Sequence, residues 1–355
     1  MVYSTMKKDN LYNLTPDNLT AAMKIAGEHA YRARQISEWL YQKDVSDVGL
    51  MSNLPAALRE KLLAGWSTDL PKAEEVKTGA DGTEKWVLRL ATNDRKTGKP
   101  HRIECVLMPS VDRYTLCVSS QVGCSLDCTF CATATMGFRR NLDPSEILGQ
   151  VIHARKLLAE KRSRLSNIVF MGMGEPLLNF DNLCTALTNL TAKEAFGMSP
   201  TRITVSTSGV VTGLKELAER FQVGIAISLN APTGALREEI MPKVACKYDL
   251  DSLLKAAKIV GQTRRKPVTF EYVLLAGVTD RTDQAKDLVK LLSGIRSKVN
   301  LIPFNPFQGS KFRRPEPQNV LKFQKVLWDA SIPAYIRWSH GLDVSAACGQ
   351  LAARG

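Results

Sequence analysis

Three of the eight cysteines in this 355-residue chain fall within one short stretch, Gly123-Cys124-Ser125-Leu126-Asp127-Cys128-Thr129-Phe130-Cys131. The spacing Cys-x3-Cys-x2-Cys can gather three thiolates around one centre. A structural zinc ion usually takes four protein ligands, often as two separated Cys-x2-Cys pairs. No second pair exists here, so only the scattered thiols Cys105, Cys117, Cys184, Cys246 and Cys348 could supply a fourth ligand. A [4Fe–4S] cluster held by three thiolates instead leaves one iron open to an outside ligand. Phe130 would shield one side of it.

A loop of this kind needs a scaffold. After residue 110 extended, β-prone segments at 114–119, 168–171, 203–206, 223–229, 268–275 and 299–304 alternate with helical patterns at 144–158, 182–192, 211–220, 250–260 and 283–292. Such alternation predicts an α/β fold with a parallel sheet wrapped by helices, and right-handed crossovers bend six units toward a partial (βα)6 barrel. In a parallel βα array, chemistry gathers at the C-terminal strand ends. The cysteine triplet follows the first strand, and Gly172-Met173-Gly174-Glu175-Pro176 follows the second. Ser206 ends the third, Ser228-Leu229-Asn230 the fourth and Asn305 the sixth. Glycines at 172 and 174 would let backbone approach a small ligand closely. Glu175 could accept hydrogen bonds from its amino or hydroxyl groups, and Ser206, Ser228, Asn230 and Asn305 add further polar groups on the same rim.

Four segments follow from this reading. Residues 1–72 form an N-terminal helical accessory domain, with Ile36, Trp39 and Leu40 on one face and Leu58, Leu62 and Leu63 along another helix. Residues 73–109 read as a β-hairpin extension, 110–340 as the barrel, and 341–355 as a C-terminal tail. Hydrophobic residues make up 44% and charged residues 23%, which is ordinary globular composition. No apolar run reaches the ~20 residues of a membrane span, and no secretory or transit pattern opens the chain, so a cytoplasmic protein with no membrane partner is expected. With 48 Lys+Arg against 35 Asp+Glu the formal charge is +13, which raises the expectation of a nucleic-acid partner. Basic runs occur at Lys161-Arg162-Ser163-Arg164, Arg264-Arg265-Lys266 and Lys311-Phe312-Arg313-Arg314.

The triplet spacing resembles the radical S-adenosylmethionine (SAM) superfamily. The longer stretches Ser119-Ser120-Gln121-Val122-Gly123-Cys124, Cys131-Ala132-Thr133 and Met171-Gly172-Met173-Gly174-Glu175-Pro176-Leu177 resemble, within it, the RlmN/Cfr family of RNA adenine methyltransferases. Likeness extends from the Arg-Gln-Ile-x-x-Trp-Leu-Tyr segment to Ala347-Cys348-Gly349-Gln350, with Ala134 standing where many members carry Gly. The resemblance implies a [4Fe–4S] cluster on Cys124, Cys128 and Cys131, whose open iron binds SAM. It implies a SAM pocket of Gly174, Glu175, Ser206, Ser228, Leu229, Asn230 and Asn305.

Taken alone, Cys117 and Cys348 read as small buried apolar residues, and Glu104 as an exposed strand residue alternating with Ile103. The resemblance gives them other roles. Cys348 would receive a methyl group from one SAM and carry it, as a radical made by a second SAM, to adenine C2. Cys117 would then resolve the adduct by forming a disulfide with Cys348, and Glu104 would take the C2 proton. Cys105, Cys184 and Cys246 match no family role and read as structural. The implied substrates are 23S rRNA at the peptidyl-transferase centre and, as a second target, an anticodon-loop adenine of tRNA. The implied electron donor is a flavodoxin or ferredoxin, and the expected state a monomer. Two alternatives stay open: a Cfr-like adenine-C8 enzyme, and a non-catalytic RNA-binding protein whose triplet plus Cys117 holds zinc.

Overall fold

The computed structural model describes residues 8–264 and 267–352. A ten-stranded sheet forms its centre. The strands are β1 Lys72–Thr78, β2 Glu84–Asn93, β3 Pro100–Ser110, β4 Arg113–Cys117 and β5 Leu165–Phe170. They continue as β6 Ile203–Thr207, β7 Gly224–Ser228, β8 Val268–Leu274, β9 Ser297–Pro303 and β10 Ala334–Ile336. From β4 to β10 every neighbouring pair is parallel. Strands β1 to β4 pair antiparallel, so the hairpin region extends the barrel wall itself. The order runs from β10 at one edge to β1 at the other. The α/β alternation expected from the sequence is present, with one additional short parallel strand, β10.

Helices cover the outer face: α4 Pro144–Glu160, α5 Phe180–Thr191, α6 Val211–Arg220, α7 Gly234–Ile240, α8 Pro242–Lys247, α9 Leu250–Arg264, α10 Thr282–Leu291 and α11 Pro317–Asp329, after three in the N-terminal region, α1 Pro16–Ile25, α2 Tyr31–Ser37 and α3 Ala56–Gly65. Local chemistry sets their starts. Helix α4 opens with Pro144 at its first position and a capping box, in which the Glu146 carboxylate accepts the Asp143 N–H at 2.9 Å. Helix α1 opens on Thr15, whose hydroxyl accepts the Asn18 N–H, followed by Pro16. The first three helices pack through Leu19, Met23, Ile36 and Leu58 into the same apolar core as the barrel. Arg155 of α4 fastens them by donating to the Tyr41 carbonyl at 2.6 Å and pairing with Asp44 at 3.3 Å. Among the described residues no helix is long and apolar enough to cross a membrane.

Candidate active site

Strand β4 ends at Cys117, and the chain then crosses the rim before the cysteine loop begins. Gly123 starts that loop at φ +74°, where a Cβ would stand 1.7 Å from the Gly137 carbonyl, so only glycine permits the two segments to cross. The loop is pinned from inside by the Cys131 N–H donating to the Cys128 carbonyl at 3.0 Å. From outside, the Ile240 carbonyl at the end of α7 accepts both the N–H and the hydroxyl of Thr129, at 3.0 and 3.2 Å. Leu126 and Cys128 pack behind it with Ile240, Met241, Val244 and Phe304.

The three thiols of the triplet open on a cavity of about 150 Å3 at the C-terminal ends of the parallel strands. Gly174, Glu175, Ser206, Ser228, Asn230 and Asn305 line the same cavity. Burial pushes the Cys124 thiol up to about 12 and the Cys128 thiol higher, and the neighbouring thiols add to both shifts. Such crowding of would-be anions marks a place where bound metal must supply positive charge. Among the described residues, no three His, Cys, Asp or Glu side chains close on one ion-sized point. A cube spreads its thiolates over separate irons, whereas tetrahedral zinc needs sulfurs all about 2.3 Å from one centre. The donor set fits an iron–sulfur cube, which Cys124, Cys128 and Cys131 could hold.

Several placements differ from expectation. Gly174, at φ +95°, turns its missing Cβ toward Gln121, whose Cβ would lie 2.5 Å away, so only glycine lets this backbone pack against the strand end while lining the cavity. Glu175 is buried, and its oxygens already accept the N–H of Leu177 at 3.1 Å and of Ser208 at 2.7 Å, which ties the β5 rim to the β6 rim. Burial raises its pKa against the pull of those donors. Leu229 points into the core and does not line the cavity; its N–H donates to the Glu271 carbonyl at 3.0 Å. Asn230, in a left-handed conformation at φ +61°, spends its Oδ1 on the Val273 N–H at 3.0 Å.

The C-terminal tail enters this mouth. Asn305 Nδ2 donates to the Cys348 carbonyl at 3.1 Å, Ala132 N–H to the Gly349 carbonyl at 2.7 Å, and Thr133 Oγ1 to the Leu351 carbonyl at 2.7 Å. Gln350 holds the Pro306 carbonyl at 2.7 Å and the Ala347 N–H at 3.1 Å. Cys348 is therefore not a buried apolar residue: its accessible surface opens into the cavity it lines. The protein around that cavity still withdraws water and pushes its thiol up to about 12, with Glu271 and Cys131 adding to the shift. Cys117 is buried, and its thiol is raised by burial and by the neighbouring Cys348.

Glu104 is buried at 4% exposure, contrary to the exposed position alternation suggests. Strand β3 lies inside the sheet, and residues 103–107 are buried on both faces, so alternation carries no signal there. Its carboxylate pairs with Lys85 at 3.3 Å and accepts the tail's Ala352 N–H at 2.8 Å. Sequence reasoning missed Glu271 and Thr133 as cavity-lining residues. Only a known strand register could have supplied Glu271, three residues into β8. Among the scattered thiols Cys105 and Cys184 are buried, whereas Cys246 on α8 is exposed. The basic runs are partly structural: Lys161 pairs with the buried Glu84, and Arg314 donates to Asn305 at 2.9 Å. Arg265 and Lys266 lie outside the described residues.

Two family models match the chain: the radical SAM superfamily over residues 118–291, and the N-terminal domain of ribosomal RNA large subunit methyltransferases over residues 9–65. A protein of Lawsonia intracellularis named dual-specificity RNA methyltransferase RlmN is 44% identical, covering 96% of each chain. The protein of the same name from Marinomonas sp. is 42% identical over 98% of this chain and 93% of its own. The chain belongs to the RlmN family. A crystal structure of a radical SAM methyltransferase from Sphaerobacter thermophilus agrees across the whole fold, with a TM-score of 0.91 and 39% identity over 98% of this chain and 100% of that one. RlmN-family membership carries with it the radical SAM cofactors, a [4Fe–4S] cluster and SAM, which suits the thiol triplet and the polar rim beside it.

Proposed function

We propose that this RlmN-family chain is a dual-specificity RNA methyltransferase that places a methyl group on adenine C2, acting on 23S rRNA at the peptidyl-transferase centre and on an anticodon-loop adenine of tRNA. When bound, the cluster and SAM supply a one-electron cleavage that yields a hydrogen-abstracting radical. The chain's own residues do the rest. Cys348 accepts a methyl group on sulfur and presents it in the cavity that the thiol triplet shares. That shared cavity is the observation that carries the reading.

After the carbon joins C2, Cys117 attacks the Cys348 sulfur. The adduct radical must first give up one electron, which a bound cluster would take back; the S–S bond then forms as the sulfur–carbon bond breaks, its electron pair leaving with the carbon, which takes up a proton. Glu104 accepts the C2 proton. An external thiol must reduce the disulfide before the next turnover. Lys85, paired with Glu104 at 3.3 Å, holds that carboxylate in place. Gly174, Glu175, Ser206, Ser228, Asn230 and Asn305 bind SAM, and Leu229, buried between Ser228 and Asn230, anchors that rim through its N–H bond to the Glu271 carbonyl. We place the enzyme in the cytoplasm as a monomer, reduced by a flavodoxin or ferredoxin. A folded RNA must extrude its adenine to reach the cavity, which favours loops and bulges. Anaerobic incubation with SAM, reductant and ribosomal RNA or tRNA, followed by nucleoside mass spectrometry, tests the reading. 2-Methyladenosine is expected; 8-methyladenosine would move the chain to Cfr-like chemistry.

A further inference from the structure

Arg237, on α7, is a fully buried side chain with 0% exposure. Its Nη2 donates to the Ser208 carbonyl at 2.7 Å and its Nη1 to the Tyr248 carbonyl at 3.3 Å, while Nε has no partner. Among the described residues no carboxylate pairs with it. Two carbonyl dipoles do not cancel a buried positive charge, and a guanidinium left in that state is costly. Packing even makes room for it: at Gly209 a Cβ would meet the guanidinium at 3.0 Å.

The surroundings show where the missing negative charge belongs. One turn after Arg237, Ile240 takes both hydrogen bonds of Thr129, the residue that follows Cys128. The Ser208 carbonyl that takes Nη2 belongs to a residue lining the cavity on which the three thiols open. Otherwise the back of the cysteine loop is apolar, formed by Leu126, Ile240, Met241 and Val244. On the outer side Asp127 is already neutralised by Lys243 at 2.5 Å.

We propose that Arg237 is the built-in counter-cation of the iron–sulfur cluster, a positioning residue whose buried charge offsets the three thiolates and favours the reduced form. One-electron reduction places a further negative charge beside Cys128. In a water-poor site a fixed cation stabilises the more negative state by more than the less negative one. The midpoint potential is thereby held up within reach of an external donor. This rests on the cluster site, not on the identity of the RNA.

The test is anaerobic reconstitution of the full chain and of Arg237→Gln, Arg237→Met and Arg237→Lys, with iron and sulfide assays and a redox titration followed by electron paramagnetic resonance, without SAM or RNA. In the neutral variants the ratio of reduced to oxidised cluster at a fixed potential should fall about tenfold, a move of about 59 mV to lower potential for a one-electron couple. Arg237→Lys should stay close to the unmodified protein. Arg237→Met, nearer in volume, carries the comparison should the shorter amide not fold. An unmoved midpoint in a loaded neutral variant overturns the proposal. So does a lysine variant displaced as far as glutamine, because that assigns the effect to hydrogen bonding rather than charge. Unmodified protein that takes up no iron or sulfide would fail the cluster itself, a separate and recognisable outcome.

Discussion

Two sets of cysteines meet at one mouth and are held in opposite ways. The triplet sits on a loop stitched to itself and to α7, and it packs into an apolar cluster with Ile240 and Phe304. Of the pair, Cys117 is fixed in a sheet strand, but Cys348 rides on a tail held by separate hydrogen bonds to Asn305, Ala132, Thr133 and Glu104 neighbours along it. Each such bond contributes about 1 kcal/mol net, and Ala346 and Leu351 add contacts with the apolar core. The difference teaches a division of labour. Electron chemistry needs ligands that stay put, whereas a carrier that meets both a methyl donor and an RNA base needs a mount that can move.

Breaking the fixed half should have the largest effect. Cys128→Ala is expected to lose the cluster and all SAM cleavage, read as absent iron, absent sulfide and no 5′-deoxyadenosine. Breaking the mobile half should be selective. Cys348→Ala should keep iron and sulfide at the level of the unmodified protein yet take RNA methylation to background, and Cys117→Ala should accumulate a covalent protein–RNA adduct visible on a denaturing gel. Undiminished turnover in either variant would remove the role assigned to that cysteine.

Loosening the mount alone should cost less. Gln350→Ala deletes the bonds to the Pro306 carbonyl and the Ala347 N–H, about 1–2 kcal/mol, so methylation of Cys348 should slow roughly tenfold with the iron content unchanged. A smaller effect is expected at the base of the tail. There Asp81 is held down to about 2: burial acts upward, but N–H groups of Thr83 and Gly341 and the His340 ring outweigh it. A depressed carboxylate stabilises the fold above its unfolded value near 3.8 and loses that contribution as pH falls through about 2. Tail accessibility to a protease should therefore stay flat from neutral pH down to about 5, and rise modestly at neutral pH in Asp81→Asn.

The same contrast explains what the sequence revealed. The triplet was legible because its ligands are neighbours in the chain, and the barrel because β–α alternation is a local pattern. Arg237, Glu271 and Thr133 were not, since each gains meaning only when distant segments converge. Glu104 misled because strand alternation reports burial only where one face meets water. The packing that also requires a glycine at 174 was not legible: its missing Cβ faces Gln121, a tertiary contact no spacing encodes. Strand β10 was missed because three residues, Ala334–Ile336, are too few to show a period.

The sheet's own edges give the tail a second meaning. Ala80 donates to Asp343 at 2.9 Å, Gly341 to Asp81 at 3.0 Å and Lys85 to the Ser345 carbonyl at 3.2 Å, while the far end of the same segment grips Asn305 and Pro306 next to β9. One peptide clasp thus spans from the first hairpin to the last rim of a wall that never zips shut. Undoing the clasp breaks no ladder of the wall, and in the proposed mechanism the segment that bridges the wall's two ends is also the carrier of the new carbon.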